Sequence, residues 1–257
     1  MLDRRALVRR PSSRLAEGLI THIERRPVDV DLAMRQWDGY VAALHANGWE
    51  TIAVPPMEDC PDGVFIEDDV VMYGDRAVVA RPGADERKPE TAAIADLLGA
   101  LGYDVVSIEA PGTLDGGDVL KHDDTVWVGL GGRTNQSGLE QLTAYVEPYG
   151  ARVVAVPITK VLHLKSAVTA LPDGTVVGYE PLVDDPTAWP SFLGVPEESG
   201  SHVVLLGGDT VLMSTDAPES ARLFEARGLD VVEVDISEFI KLEGCVTCLS
   251  VRLRHTP

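Results

Sequence analysis

Cys248 sits in the run Val246-Thr247-Cys248-Leu249-Ser250, and His163 stands between Leu162 and Leu164. A thiol and an imidazole brought together make a nucleophile and a proton carrier, and a carboxylate beside the imidazole orients it. Two carboxylates share a counting rule with them. Asp115 lies 13 residues after Gly102 as His163 lies 13 after Gly150, and Asp68 lies 20 after Gly48 as Cys248 lies 20 after Gly228. Singly, each has a plain reading: a small buried thiol, a core histidine, a turn aspartate before Gly116-Gly117, and a solvated acidic loop of Glu67, Asp68 and Asp69. The joint register favours chemistry, because equivalent positions in a ring of repeats converge on its axis. There the four residues supply a nucleophile, a base, an orienting carboxylate and an anchor for a cation.

The elements that must place them repeat along the chain. Four amphipathic segments each end at a glycine followed by a β-branched run: Gly48 with Thr51 to Val54, Gly102 with Val105 to Ile108, Gly150 with Val153 to Val156, and Gly228 with Val231 to Val234. This reads as helix, C′ glycine and strand. Ala33, Trp37, Tyr40, Val41 and Leu44 form one apolar stripe, and Ile94, Leu97, Leu98 and Leu101 a second. Ser137 to Glu140 reads as a capping box opening a third helix. The longer interval from Gly150 to Gly228 leaves room for a fifth unit with its helix reduced. Further strand-like runs, Ala77 to Ala80 and Thr125 to Val128, precede the helices. Strand, strand, helix, strand, repeated five times, predicts a closed ring of small mixed sheets around a central channel, since one such unit cannot bury its own apolar face. A doubly wound open sheet would give no reason for near-equal repeats.

Composition bounds the rest. The 257 residues, 45% of them hydrophobic, suit one large domain over 1–257. With 41 acidic against 22 basic residues and a net charge of -19, a nucleic-acid partner is disfavoured and a cationic small molecule is suited. No apolar run reaches the roughly 18 to 20 residues that span a bilayer, and Met1 to Leu15 lacks the apolar core of a leader. Three cysteines, Cys60, Cys245 and Cys248, do not make a disulfide framework and point to a reducing cytoplasm. Cys245 and Cys248 form C-x-x-C, but a redox pair is expected where a strand meets a helix. Strand alternation here puts the two side chains on opposite faces. A structural zinc site lacks its four ligands.

Six motifs carry a family resemblance that runs from Leu7 to Leu253: Val64-Phe65-Ile66-Glu67-Asp68, Ala80-Arg81-Pro82-Gly83-Ala84, Leu114-Asp115-Gly116-Gly117-Asp118, Arg133-Thr134-Asn135, Leu162-His163-Leu164-Lys165 and Cys248-Leu249-Ser250-Val251-Arg252. On these the chain resembles the dimethylarginine dimethylaminohydrolase family, of the guanidine-modifying, amidinotransferase-type superfamily of five-bladed α/β propellers (penteins). The resemblance implies Cys248 as nucleophile, His163 as general acid and base, and Asp115 as the carboxylate on the imidazole, where some relatives carry glutamate. It implies Asp68 and Glu67 on the guanidinium, Arg81 and Arg133 on the substrate α-carboxylate, and Asp62 on the α-ammonium. Leu19 falls in a lid, and Phe65 and Leu242 fall among the substrate contacts. No metal or organic cofactor is implied, and the expected assembly is a monomer or homodimer.

The chemistry suits these residue types. Resonance makes a guanidinium carbon a poor electrophile, so it needs a thiolate to attack it and an acid to release the amine. Arginine deimination would use the same constellation, but the arginine deiminases carry a helical insertion for which this chain has no room. An agmatine deiminase would not need a pair of arginines for a carboxylate. A non-catalytic ribosome-binding propeller shares the five-fold repeat, yet it has no use for an aligned cysteine, histidine and two acids.

Overall fold

The computed structural model describes residues 4–253; the first three and last four residues of the expected domain lie outside them. The chain runs through β1 (Arg5–Arg9), α1 (Val30–Ala46) and β2 (Glu50–Val54), then β3 (Val70–Tyr73), β4 (Arg76–Val79), α2 (Ile94–Ala100) and β5 (Asp104–Ser107). β6 (Val119–His122), β7 (Thr125–Leu130), α3 (Gln136–Val146) and β8 (Arg152–Pro157) follow. Next come the short α4 (Leu164–Ala167), β9 (Val168–Ala170), β10 (Val176–Gly178) and β11 (Phe192–Gly194). β12 (Val204–Gly207), β13 (Thr210–Ser214), α5 (Pro218–Ala226), β14 (Asp230–Val234), α6 (Ser237–Ile240) and β15 (Val251–Leu253) complete it.

The strands form five three-stranded sheets, ordered β15-β1-β2, β3-β4-β5, β6-β7-β8, β9-β10-β11 and β12-β13-β14. In each, the middle strand is antiparallel to the first strand and parallel to the third. A parallel pair needs a crossover. Helices α1, α2, α3 and α5 supply it in four blades, and 3-10 turns at Glu180–Leu182 and Pro186–Ala188 replace the helix in the fourth blade. The fold is therefore the five-bladed α/β propeller with one reduced unit. Residues of β3, β6, β9, β12 and β15 line one cavity of about 800 Å³, so the first strands of the sheets face the axis.

Local chemistry sets the elements. Gly48, Gly102, Gly150 and Gly228 all adopt positive φ, between 77° and 91°, the left-handed turn in which a Cβ is costly. Asp29 caps α1 by accepting from Leu32 N–H. The cap of α3 differs from the expected one: Asn135, not Ser137, accepts from Gly138 N–H, and the helix begins at Gln136. Leu139, Leu142 and Val146 of α3 lie against Val78, Val126 and Val128, each buried aliphatic side chain contributing about 1.5–3 kcal/mol before the cost of ordering it. The run Val246 to Ser250 is not a strand. It turns, with Cys248 N–H donating to Cys245 O at 3.1 Å.

Arg9, at the end of β1, joins three separate segments below the surface. Its guanidinium donates to Gly63 O at 2.8 Å, Asp69 Oδ2 at 2.8 Å and Glu90 O at 2.9 Å. Arg9→Ala leaves Asp69 buried without its cation and is expected to lower unfolding free energy by about 3–5 kcal/mol in urea titrations; a loss within 0.5 kcal/mol would show the pair to be dispensable.

Candidate active site

The four residues in register occupy one structural place. Asp68 lies in the 3-10 turn Ile66–Asp69 before β3, and Asp115 precedes the turn Gly116–Asp118 before β6. His163 is the N-cap of α4 before β9, and Cys248 lies in the turn before β15. Each therefore sits where the chain enters a strand facing the axis, and the ring carries them toward one end of the channel.

Asp68, His163 and Cys248 line a second, small cavity of about 20 Å³ together with Leu19, Asp62, Phe65, Arg133 and Leu242. Asp115 stands behind the imidazole, its Oδ2 3.0 Å from His163 Nε2, and leaves Nδ1 facing Asp68 Oδ1 at 3.7 Å. Asp115 is held in turn by Gly83 N–H at 2.8 Å. Gly117 makes the approach feasible, because a Cβ there would come within 2.6 Å of both Asp68 Oδ1 and His163 Nδ1.

Two expected residues do not come to this cavity. Glu67 points into the wide channel, where it accepts from Thr247 Oγ1 at 2.6 Å and pairs with Lys165 at 2.6 Å. Arg81 pairs in a bridge with Leu114 and donates to Gly112 O at 3.0 Å. Arg87, which the sequence did not single out, takes a place on the cavity wall. It donates to Asp68 Oδ2 at 2.6 Å and to both oxygens of Glu90. It belongs to a charged 3-10 segment, Asp85–Thr91, and carries no periodic or register signal. Arg133 Nη1 is buried and makes no hydrogen bond.

The charges are strongly coupled. Burial works against protonation of His163, but the charge of Asp68 and the Asp115 hydrogen bond outweigh it and raise the imidazole to about 9. Burial likewise opposes the Asp68 carboxylate, and His163, Arg87 and the Gly117 N–H hold it down at about 2. Asp118, which accepts from Leu164 N–H at 3.0 Å and Thr134 Oγ1 at 2.6 Å, is pushed by burial up to about 6. The shared hydrogen bond with Cys245 and burial raise the Cys248 thiol. Asp68, Asp115 and His163 offer ligand atoms within 4.8 Å of one another, but the imidazolium already occupies the space between the carboxylates.

The segment around Leu19 closes the cavity. Leu19 N–H donates to Asp62 at 3.0 Å, and the N–H groups of Thr21 and His22 donate to Glu243 at 2.8 and 2.6 Å. About 20 Å³ is room for one water rather than an amino acid.

No family model matches the chain. It is 62% identical over 255 residues, 99% of either chain, to N(G),N(G)-dimethylarginine dimethylaminohydrolase of Streptomyces coelicolor. Among solved structures, a cysteine-to-serine mutant of the Pseudomonas aeruginosa dimethylarginine dimethylaminohydrolase complexed with citrulline aligns with a TM-score of 0.91 and 30% identity, covering 98% of this chain and 100% of that one. The N-terminal domain of ArgZ, a cyanobacterial arginine dihydrolase, aligns with a TM-score of 0.88 at 20% identity over 98% of either chain and shares the fold.

A raised imidazole stabilises the fold in its protonated form. That contribution is full below the ordinary value of 6.5 and is lost as pH rises toward about 9. Unfolding free energy is therefore expected to fall across that window more steeply in the wild type than in His163→Gln, with the imidazole NMR resonance titrating near its upper end. A midpoint near 6.5 would refute the ion triad.

Proposed function

Because the chain belongs to the dimethylarginine dimethylaminohydrolase family, we propose that Cys248, His163 and Asp115 perform its hydrolysis of Nω-methylated arginine to citrulline and methylamine or dimethylamine. The enzyme is a hydrolase of the guanidino carbon–nitrogen bond. The observation that carries the residue assignment is the convergence of a thiol, an imidazolium, an ionised carboxylate and two arginines on one closed cavity.

Asp68, ionised through the physiological range, pairs with the substrate guanidinium. That cation offsets the groups that hold the Cys248 proton, the proton leaves to solvent as the substrate binds, and the Sγ thiolate attacks the guanidinium carbon. A carbon–sulfur bond forms, and His163, protonated at neutral pH, gives its proton to the departing amine as the carbon–nitrogen bond breaks. A covalent S-alkylthiouronium remains on Cys248. The neutral imidazole then takes a proton from water, whose oxygen attacks the same carbon, and the thiolate leaves citrulline behind. Asp115 keeps the imidazole oriented in both halves of the reaction. Arg133 Nη1, which makes no hydrogen bond and lies 3.6 Å from Asp115 Oδ2, suits the substrate α-carboxylate, with Arg87 beside it and Asp62 facing the α-ammonium. Three unpaired cysteines suit a reducing cytoplasm, and the assembly is a monomer or homodimer. No helix among the described residues is long and apolar enough to cross a membrane.

Citrulline and amine assays with arginine, monomethylarginine and dimethylarginine side by side test the activity; turnover confined to unmethylated arginine would instead favour deimination. Cys248→Ser is expected to lose turnover by roughly 10³-fold or more, and Cys245→Ser and Cys60→Ser to retain it. Full activity in Cys248→Ser would end the assignment.

The arginines separate by kinetics. Arg133→Ala is expected chiefly to raise KM, because a carboxylate clamp acts alike on substrate and transition state, with a smaller fall in kcat from the loss of its 3.6 Å contact to Asp115. Arg87→Ala also releases Asp68 and is expected to lower kcat as well. Arg81→Ala should leave both constants near wild type; a KM rise matching that of Arg133→Ala would return Arg81 to the site.

A further inference from the structure

Cys245 and Cys248 occupy the two ends of one turn, closed by Cys248 N–H donating to Cys245 O at 3.1 Å. A turn of this kind keeps its end Cα atoms within about 7 Å, which overlaps the roughly 4.4–6.8 Å that a disulfide spans. The two Sγ atoms are 3.2 Å apart. A bond of about 2.0 Å is therefore reached by side-chain rotation, with no strand or helix displaced. Cys248 lines the small cavity, while Cys245 lies behind it with Thr247 Oγ1 at 3.3 Å. The hydrolytic reaction uses one thiol and gives the second no task.

We propose that Cys245 is a resolving thiol: a hydroperoxide that enters the cavity oxidises Cys248, and Cys245 closes a reversible disulfide that switches turnover off. The shared proton passes to Cys245, and Cys248 Sγ attacks the peroxide. The sulfur–oxygen bond forms, the oxygen–oxygen bond breaks, and the leaving alkoxide takes the proton of the His163 imidazolium to depart as alcohol. Cys245 Sγ then attacks the sulfenic sulfur. The sulfur–sulfur bond forms, and the hydroxide leaves with the Cys245 proton as water, while His163 regains a proton from solvent. Two electrons pass from the sulfur pair to the peroxide. The hydrogen bond from Cys248 lowers the Cys245 thiol, which favours the thiolate that thiol–disulfide chemistry requires. The disulfide spares Cys248 the irreversible sulfinic and sulfonic states, and a thiol reductant restores it.

The loss of turnover rests on Cys248 being the nucleophile, whereas the disulfide itself does not, so two readouts separate them. The full-length protein is treated with hydrogen peroxide and then dithiothreitol, following citrulline formation and the mass of the unreduced tryptic peptide 242–252. In the wild type, turnover is expected to fall at least roughly tenfold as the peptide becomes lighter by about 2 Da, and dithiothreitol should reverse both changes. Cys245→Ser, with Cys245→Ala as a second variant, should start active, gain oxygens on Cys248 under peroxide and fail to recover. A wild-type peptide that gains oxygen rather than losing two hydrogens would overturn the proposal, as would full recovery of the Cys245 variants. A lighter peptide with turnover intact would leave the disulfide standing and overturn Cys248 as nucleophile, and with it the switch.

Discussion

An ionised carboxylate, Asp68, is kept 2% exposed in a protein interior, and much of the site is arranged to make that tolerable. A buried carboxylate without partners would take up a proton. Here three donors or cations come to it from different parts of the ring: the Arg87 guanidinium, the Gly117 amide and the His163 imidazolium. Each is useful a second time. Arg87 edges the substrate cavity, Gly117 lets the neighbouring turns approach, and the imidazolium is the acid that the leaving amine needs. The same field that stabilises Asp68 thus sets the protonation state of His163.

The ring divides its polar groups between two cavities. The wide one, about 800 Å³, takes Glu67 with Lys165 and Thr247, and the small one takes the reactive groups. Glu67 and Asp68 are consecutive in a 3-10 turn and so point apart. One secures the Cys248 loop from the channel side through Thr247, while the other faces the small cavity. Adjacent carboxylates in a single motif consequently have separate tasks.

Much of the architecture was legible because it depends on short-range signals. Gly48, Gly102, Gly150 and Gly228 mark left-handed helix ends that other residues resist, and the distances counted from them located the turns entering the axial strands. Orientation at single residues was harder to read. Along the sequence the C-x-x-C segment alternates like a strand, which would part its thiols; it is a turn, in which residues three apart meet. Arg87 escaped notice because a charged segment such as Asp85–Thr91 looks solvated in one dimension, and only the fold brings Asp68, 19 residues earlier, against it. Ser137 resembled a cap, yet Asn135 accepts the amide hydrogen bond. Only the Arg87 contact spans a longer stretch of chain; the Asn135 cap and the turn at Cys245 are local contacts between residues three apart, where one short-range pattern prevailed over another.

Strand β15 pairs antiparallel with β1, with Arg5 opposite Leu253. The first blade is thus built from both ends of the described chain, and its inner strand is the one that follows the turn bearing Cys248. Four blades draw all three strands from consecutive stretches of the described chain, whereas the turn bearing Cys248 is fixed only where β15 reaches back to β1. Loop-closure entropy makes so distant a pairing slow to form. The pairing that seals the propeller is therefore also the one that brings the Cys248 thiol up to the imidazole and carboxylates carried by the other blades.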